Sequence, residues 1–284
     1  MRIVLSGGTG FLGRPLAAAL TAVGHGTVVL PRAQTGWAKE IDGAGAVVNL
    51  AGEPIAARRW SEAHKARILD SRLQVTRTIA NAIRDAASPP AVFISGSAVG
   101  YYGPLRDEIV TEDAPPGSDF LASVCAQWEA EAMRAADRAR VVCVRTGLAL
   151  ERDGGALPQM LPPFKFGVGG PVGSGRQYWP WIHRDDWIAL VRWAIDTPSV
   201  TGPVNATAPS PITNAEFARA LGRALHRPAF MPAPAFALRL LLGEMADALL
   251  LSGQRAVPAK AQRLGFTFRY SQLDDALRAI FPLG

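Results

Sequence analysis

Only two cysteines occur in the 284 residues, Cys125 and Cys143, too few and too far apart for a disulfide framework. A chain of this length buries a core without covalent staples, so both thiols read as small packing side chains in a reducing compartment. The four histidines, at 25, 64, 183 and 226, show none of the spacings of a metal site, and no metal is expected. Long apolar runs are missing too. The most apolar stretch, FALRLLLGEMADALLL, is broken by Arg239, Glu244 and Asp247, which argues for a packed amphipathic helix and against a membrane span. The opening MRIVLSGG enters a turn without the longer apolar segment and cleavage site of a secretory leader, so a cytoplasmic protein is expected.

Acidic charge is in deficit: 30 Lys and Arg against 24 Asp and Glu leave a net charge of +6. Yet Arg58, Arg59, Lys65, Arg67 and Arg72 are spaced through a helix-like segment, and no aromatic-rich strand pair of RNA-binding type accompanies them. Nucleic acid is therefore not the expected partner, and phosphates on a small ligand account for the surplus as well.

What is present is a repeating theme. The apolar runs IVLSG (3–7), TVVLP (27–31), AVVNLAG (46–52), AVFISG (91–96) and RVVCVRTG (140–147) alternate with segments of helical composition. Such short β-branched runs predict strands covered on both faces, hence an α/β fold with a parallel sheet between helical layers. Long helices are predicted over 61–87 and 119–138, and a further one over 185–196. GPVNATA (202–208) reads as a late strand, and Thr213 with Glu216 as a capping box. Residues 152–182, dense in glycine, proline and aromatics, predict a loop-rich excursion that shapes a site. The expected division is a core over 1–151, the insertion over 152–182, a return to the core over 183–230, and a smaller, mostly helical lobe over 231–284.

SGGTGFLGRPLAAAL joins the first strand to a helix, with glycines at 7, 8, 10 and 13. Gly7 permits the tight turn, Gly10 admits a pyrophosphate to backbone N–H groups, and Gly13 allows close helix packing. That context predicts a dinucleotide site of Rossmann type. At the end of the second strand, VVLPRAQ offers Arg32 and no adjacent acid, which favours the 2′-phosphate of NADP over the free ribose of NAD; the alternative for Arg32 is a solvated loop position. The expected cofactor contacts are Gly7, Thr9, Gly10, Phe11, Leu12 and Gly13 in the turn, Arg32, then Leu50, Ala51 and Gly52 in NLAGEP, Arg72 on the following helix, and Ser95 in the fourth strand. Asn49 reads equally as a strand-end cap.

GGTGFLG, NLAGEPIAARRW, SGSAVGYYG, VVCVRTGLAL, GGPVGSGRQYWPWIHRDD and NATAPSPITNAEFA together resemble the extended short-chain dehydrogenase/reductases. More narrowly, the chain is similar to the atypical sugar-nucleotide epimerases of the cell-division-inhibitor-like family, over nearly its whole length. The resemblance implies a Rossmann core with a C-terminal substrate lobe, bound NADP, and a small anionic substrate such as a nucleotide sugar. The implied reaction removes a hydride reversibly and returns it to the opposite face. It also implies a serine after the fourth strand, matched by Ser97, and a Tyr-x-x-x-Lys pair on the next helix. Aligned on Glu129, that pair is replaced by Leu121 and Cys125, neither of which exchanges a proton as a tyrosine-lysine pair does.

Ser97, Tyr101 and Tyr102 are therefore the candidate catalytic residues, with two readings for the tyrosines: proton exchange beside the nicotinamide, or walls of the pocket. Ser97 reads as a substrate contact or as a hydroxyl satisfying its turn. His183, Asp185 and Asp186 read better as a helix cap than as an acid-base cluster. Lys165 and Arg176 are candidate donors to an anionic substrate, and Arg145 faces either ligand or neighbouring loops. An NADPH reductase and an NADPH-responsive regulatory protein without catalysis are the alternatives to an epimerase. A homodimer is the assembly expected of such enzymes.

Overall fold

A computed structural model describes residues 1–282. Among the described residues ten strands follow in chain order: β1 (Arg2–Ser6), β2 (Gly26–Val29), β3 (Ala46–Asn49), β4 (Val92–Ala98), β5 (Ile109–Val110), β6 (Arg140–Thr146), β7 (Leu148–Leu150), β8 (Trp181–His183), β9 (Gly202–Ala206) and β10 (Arg255–Ala256). Six of them form one parallel sheet in the order β2-β1-β3-β4-β6-β9. The predicted Rossmann-type sheet is thus present, and the five apolar runs and GPVNATA each become one of its strands.

Both faces of the sheet are covered, which is why those runs are continuously apolar rather than alternating. On one face Ile3, Leu5, Val48, Ile94 and Val142 pack with Leu16 and Leu20 of α1 (Gly13–Ala22), and with Trp187, Leu190 and Val191 from residues 184–196. On the other, Val4, Val47, Phe93 and Cys143 meet Ile41 of α2 (Trp37–Ile41), Ile79 and Ile83 of α3 (Glu62–Asp85), and Ala132 of α4 (Phe120–Met133). Each fully buried aliphatic side chain contributes about 1.5–3 kcal/mol, so the two layers fix the register.

The helix starts are set by side chains. Ser61 caps α3 and Asp119 caps α4, accepting from the backbone N–H groups of His64 and Ala122. The insertion differs from expectation, because 157–165 is helical: α5 (Leu157–Lys165) runs through Pro162 and Pro163. Its Leu157, Leu161 and Phe164 recur at helical spacing and are buried with Trp181 and Phe217, so packing outweighs the proline penalty. α6 (Arg184–Asp196) follows β8, and α7 (Asn214–Leu225) opens with the predicted Thr213–Glu216 capping box. Beyond it lie helices at Ala235–Leu242, Ala259–Arg263 and Leu273–Ile280. β10 pairs with β5, fastening this C-terminal region to the loop after β4. No described helix is long and apolar enough to cross a membrane.

The strand order places β1 between β2 and β3, so the connection after β1 runs to one side of the sheet and that after β3 to the other. Ligands of open parallel sheets bind at such a switch, beyond the carboxyl ends of the strands.

Candidate active site

The turn after β1 sits at that switch. Gly7 has φ +76°, and a Cβ there would lie 2.7 Å from the Leu50 carbonyl carbon, so the turn and the loop after β3 touch backbone to backbone. A Cβ on Gly13 would overlap the Gly7 carbonyl and come within 2.8 Å of Gly8 Cα. Gly10 N–H donates to Gly7 O at 3.1 Å, closing the turn. Leu12, at the N-cap of α1, supplies no side-chain cap, and no acidic residue lies in the first turn. The amide end of α1 is thus open to an anion. Phe11 is packed beneath Gly154 and Gly155, with the Arg184 guanidinium 5.5 Å from its ring centre, so the insertion reaches the glycine turn. Thr9 is exposed, and its carbonyl accepts from Arg14 at 3.5 Å. Arg32 is also exposed, in the bend after β2, with no side-chain hydrogen bond among the described residues.

In the loop after β3, Asn49 is fully buried; its Oδ1 accepts from Ala51 N–H at 3.2 Å and its Nδ2 donates to Thr76 at 2.9 Å. This is the strand-end cap. Arg72 lies under Gly52 and donates Nη1 to the carbonyls of Glu53 and Ile68, both at 3.0 Å, while its guanidinium faces the Trp128 ring at 5.2 Å. Burial lowers its affinity for its proton below that of a free arginine. It holds the loop's shape from below. Ser95 is fully buried in β4, and its hydroxyl donates to Gly96 O at 3.2 Å.

The residues of SGSAVGYYG fall into one buried polar network. Ser97 Oγ donates to Glu129 Oε1 at 2.6 Å, and Arg145 grips the same carboxylate with Nε and Nη2 at 2.8 and 2.9 Å. Arg145 Nη1 donates to the Tyr102 hydroxyl at 3.0 Å and to the Glu112 carbonyl at 3.1 Å. The Tyr102 hydroxyl in turn donates to Asn205 Oδ1 at 2.6 Å. Burial pushes the Tyr102 phenol up to about 12, against the pull of Arg145. The hydroxyls of Ser97 and Tyr102 are therefore committed inside the protein. Tyr101 differs: it is half-buried, its ring lies 3.5 Å from the Arg145 guanidinium, and its hydroxyl has no protein partner among the described residues.

At the two positions where a proton-exchanging pair is expected, Leu121 is half-buried and Cys125 is enclosed, with burial raising its thiol to about 12. Cys125 packs and does not ionise near neutrality. His183 is the N-cap of α6, accepting from Asp185 N–H at 3.0 Å, and Asp186 accepts from the backbone N–H groups of Arg269 and Tyr270, both at 2.8 Å. Both are structural. Lys165 and Arg176 are exposed on the insertion.

Arg145 takes the second of its two readings, tying the Tyr102 and Glu112 loops to the sheet end, while three members of the network escape a reading of sequence: Glu112, Asn205 and Lys260. Glu112 accepts from Asn205 N–H at 3.0 Å and from Lys260 N–H at 3.1 Å, across 93 and 148 residues. No local pattern signals such distant partners.

A parallel sheet with a glycine turn at its switch point and an open helix end defines a dinucleotide-binding protein of Rossmann type. Comparison with known proteins is more specific. Residues 3–206 match the NAD dependent epimerase/dehydratase family, and the chain belongs to it. Residues 233–280 match a domain of unknown function. The chain is 41% identical to the chloroplastic SDR39U1 homolog of Arabidopsis thaliana, described as an epimerase family protein, over 99% of this chain and 86% of that protein. The crystal structure of human epimerase family protein SDR39U1 with NADPH superposes with a TM-score of 0.94 at 38% identity, covering 99% of both chains. A nucleoside-diphosphate sugar epimerase from Corynebacterium glutamicum gives a TM-score of 0.82 at 32% identity, over 99% of this chain and 58% of that one.

Proposed function

We propose that the chain binds NADP(H) across the switch point and exchanges hydride reversibly with a nucleotide sugar, acting as a sugar-nucleotide epimerase. The observation that carries this reading is the glycine turn, where a Cβ at Gly7 or Gly13 would collide with backbone beside an uncapped helix end. That cradle fits a pyrophosphate. The likeness to a human protein crystallised with NADPH supports the choice of cofactor. Gly7, Gly10 and Gly13 with the neighbouring amides of Thr9, Phe11 and Leu12 hold the pyrophosphate, Arg32 neutralises the 2′-phosphate, and Leu50, Ala51 and Gly52 approach the adenosine half. Ser95 and Arg72 shape the pocket from within β4 and from beneath the loop.

Bound NADP supplies a hydride acceptor and donor. Of the chain's own residues, Tyr101 is the proton-exchanging group, since its hydroxyl is the uncommitted one of the three candidates. Ser97 and Tyr102 position it through Glu129 and Arg145. Residues 1–151 and 183–230 carry the cofactor, while the 152–182 insertion and the 231–284 lobe face the substrate. Two buried free cysteines agree with a cytoplasmic, reducing setting. A homodimer is part of the proposal, checked by sedimentation.

Calorimetry with NADPH tests the first half: wild type binds, and R32A binds more weakly while keeping its affinity for NADH. Absence of NADPH binding defeats the reading. Incubating the NADP+-loaded protein with a panel of nucleotide sugars deuterated on their ring carbons tests the second: the deuteride passes to NADP+ as the hydroxyl proton leaves, giving reduced cofactor and a keto sugar, and its return yields the inverted sugar, expected in wild type and lost in Y101F.

A second reading has its own support. Leu121 and Cys125 stand where the usual acid-base pair belongs, and Ser97 is tied to Glu129. Binding of NADPH without exchange on any sugar favours an NADPH-responsive regulatory protein.

A further inference from the structure

β10 lies against the carboxyl end of β9. Asn205 Nδ2 donates to Val257 O at 2.9 Å, and Thr207 Oγ1 to Ala256 O at 3.4 Å. On its other side the same segment is stitched to the chain leaving Tyr102: Leu105 N–H donates to Gly253 O at 2.9 Å and Gln254 Nε2 to Gly103 O at 2.7 Å. Gly253 abuts the Tyr178 carbonyl with no room for a side chain, which brings the insertion to the same seam. Ala256 is buried with Tyr102 and Val110, and strand alternation sends Arg255 the other way. There its guanidinium lies 5.0 Å from the centre of the Tyr178 ring.

Arg255 is half-buried and its Nε is wholly buried without an acceptor. The other enclosed arginines of the site region each have a carboxylate or carbonyl partner, although Arg184 Nε is likewise buried without an acceptor. Arg145 has Glu129, Arg140 has three carbonyls, Arg72 has two, and Arg184 pairs with Glu151 and Asp153. Arg255 has neither an ion pair nor a side-chain hydrogen bond among the described residues. A guanidinium is always charged, and leaving a buried donor unpaired is unfavourable. The Tyr178 ring fixes its plane without using any of its donors, an arrangement suited to a forked contact with an oxyanion.

We propose that Arg255, held on Tyr178, recognises an anionic group of the substrate, a phosphate or a sugar carboxylate, at the seam between the β4 exit and the insertion. This rests on the reading of the site as a cofactor-and-substrate cleft, and assigns substrate recognition to Arg255 in place of Lys165 and Arg176, both exposed on the insertion. An aspartate or glutamate facing it would have made it architectural. None does among the described residues.

The test uses the full chain saturated with NADPH, titrated calorimetrically with UDP, UDP-glucose and UDP-glucuronic acid, for wild type, R255Q and R255K. R255Q should bind NADPH as wild type does and melt within a few degrees of it, because beyond the Tyr178 ring Arg255 makes no ion pair or side-chain hydrogen bond among the described residues. Its affinity for the anionic probe should fall about tenfold or more, with R255K intermediate, from loss of a charge-assisted hydrogen bond. Equal losses for all three probes assign the contact to phosphate, and a loss confined to UDP-glucuronic acid assigns it to the carboxylate. Unchanged affinity of R255Q for every probe, or no binding of any probe by NADPH-loaded wild type, overturns the assignment. Failure of NADPH itself to bind strikes instead at the reading of the whole cleft.

Discussion

Arg145 and Glu129 meet in a two-point contact, Nε to Oε1 at 2.8 Å and Nη2 to Oε2 at 2.9 Å, where Arg145 is 2% exposed. Burial disfavours the charged guanidinium, but the carboxylate and the Tyr102 oxygen more than offset it, and Arg145 holds its proton more tightly than a free arginine. Removing one partner leaves an uncompensated charge inside the sheet end. E129L is expected to lose about 3–5 kcal/mol in urea denaturation, and the double variant E129L/R145M to regain most of it. If E129L unfolds at the wild-type urea concentration, the pair does not hold this end of the sheet.

Tyr102 gives a pH signature. Its folded phenol is raised to about 12 from 10.0, so the folded state holds the proton more tightly than the unfolded chain. The resulting stability is fully present below pH 10 and is lost as pH rises from there through about 12. Y102F removes this dependence, and at neutral pH loses about 1–3 kcal/mol by stranding Asn205 Oδ1. Urea denaturation of both proteins between pH 8 and pH 11, values about the tyrosine range, should show the gap between them shrinking at the alkaline end. A constant gap contradicts the assignment.

Gly13→Ala places a methyl group against the Gly7 carbonyl and within 2.8 Å of Gly8 Cα. The turn must open to admit it, so NADPH affinity should drop at least about tenfold, as a displaced set of charge-assisted contacts implies. Gly24→Ala is the comparison: φ is +88° but nothing lies within 4 Å, so it should cost about 1–2 kcal/mol of stability with NADPH affinity unchanged. Equal NADPH binding by G13A and wild type would falsify the cradle.

Cys125 and Cys143 are both enclosed, and burial raises both thiols, Cys125 to about 12. Neither should react with a thiol reagent at pH near 8 until the protein is unfolded, when both are counted, since an ordinary thiol has a pKa of about 8.5. Rapid labelling of one thiol in the native protein, lost in C125A, would show that Cys125 is accessible from the cleft.

Much of this architecture is legible in the chain because it is local. IVLSG and AVVNLAG are unbroken apolar runs since helices cover both faces, and SGGTGFLG pairs a strand end with a helix start within a few residues. Thr213 and Glu216 announce their helix by the two hydrogen bonds they exchange with its first turn. The site resists the same treatment. Ser97 stands at its expected position after the fourth strand, yet where its hydroxyl points is decided by Glu129, 32 residues away on α4. Tyr101 and Tyr102 both meet Arg145, but one through its ring face and the other through a hydroxyl that also reaches Asn205 across 103 residues. The helix over 157–165 was hidden by Pro162 and Pro163, which local propensity weighs heavily and a buried Leu161 and Phe164 outweigh.

Glu112 accepts from Asn205 on β9, from Lys260 in the C-terminal region, and through its carbonyl from Arg145 on β6. A single side chain and its carbonyl thus span the boundary between the two matched regions, 3–206 and 233–280. The two matched regions are thus joined by hydrogen bonds at the end of the sheet. A fragment cut between them would expose Val257 and Lys260's partners as unmet polar groups at the end of the sheet, and the two pieces should regain order together rather than in turn.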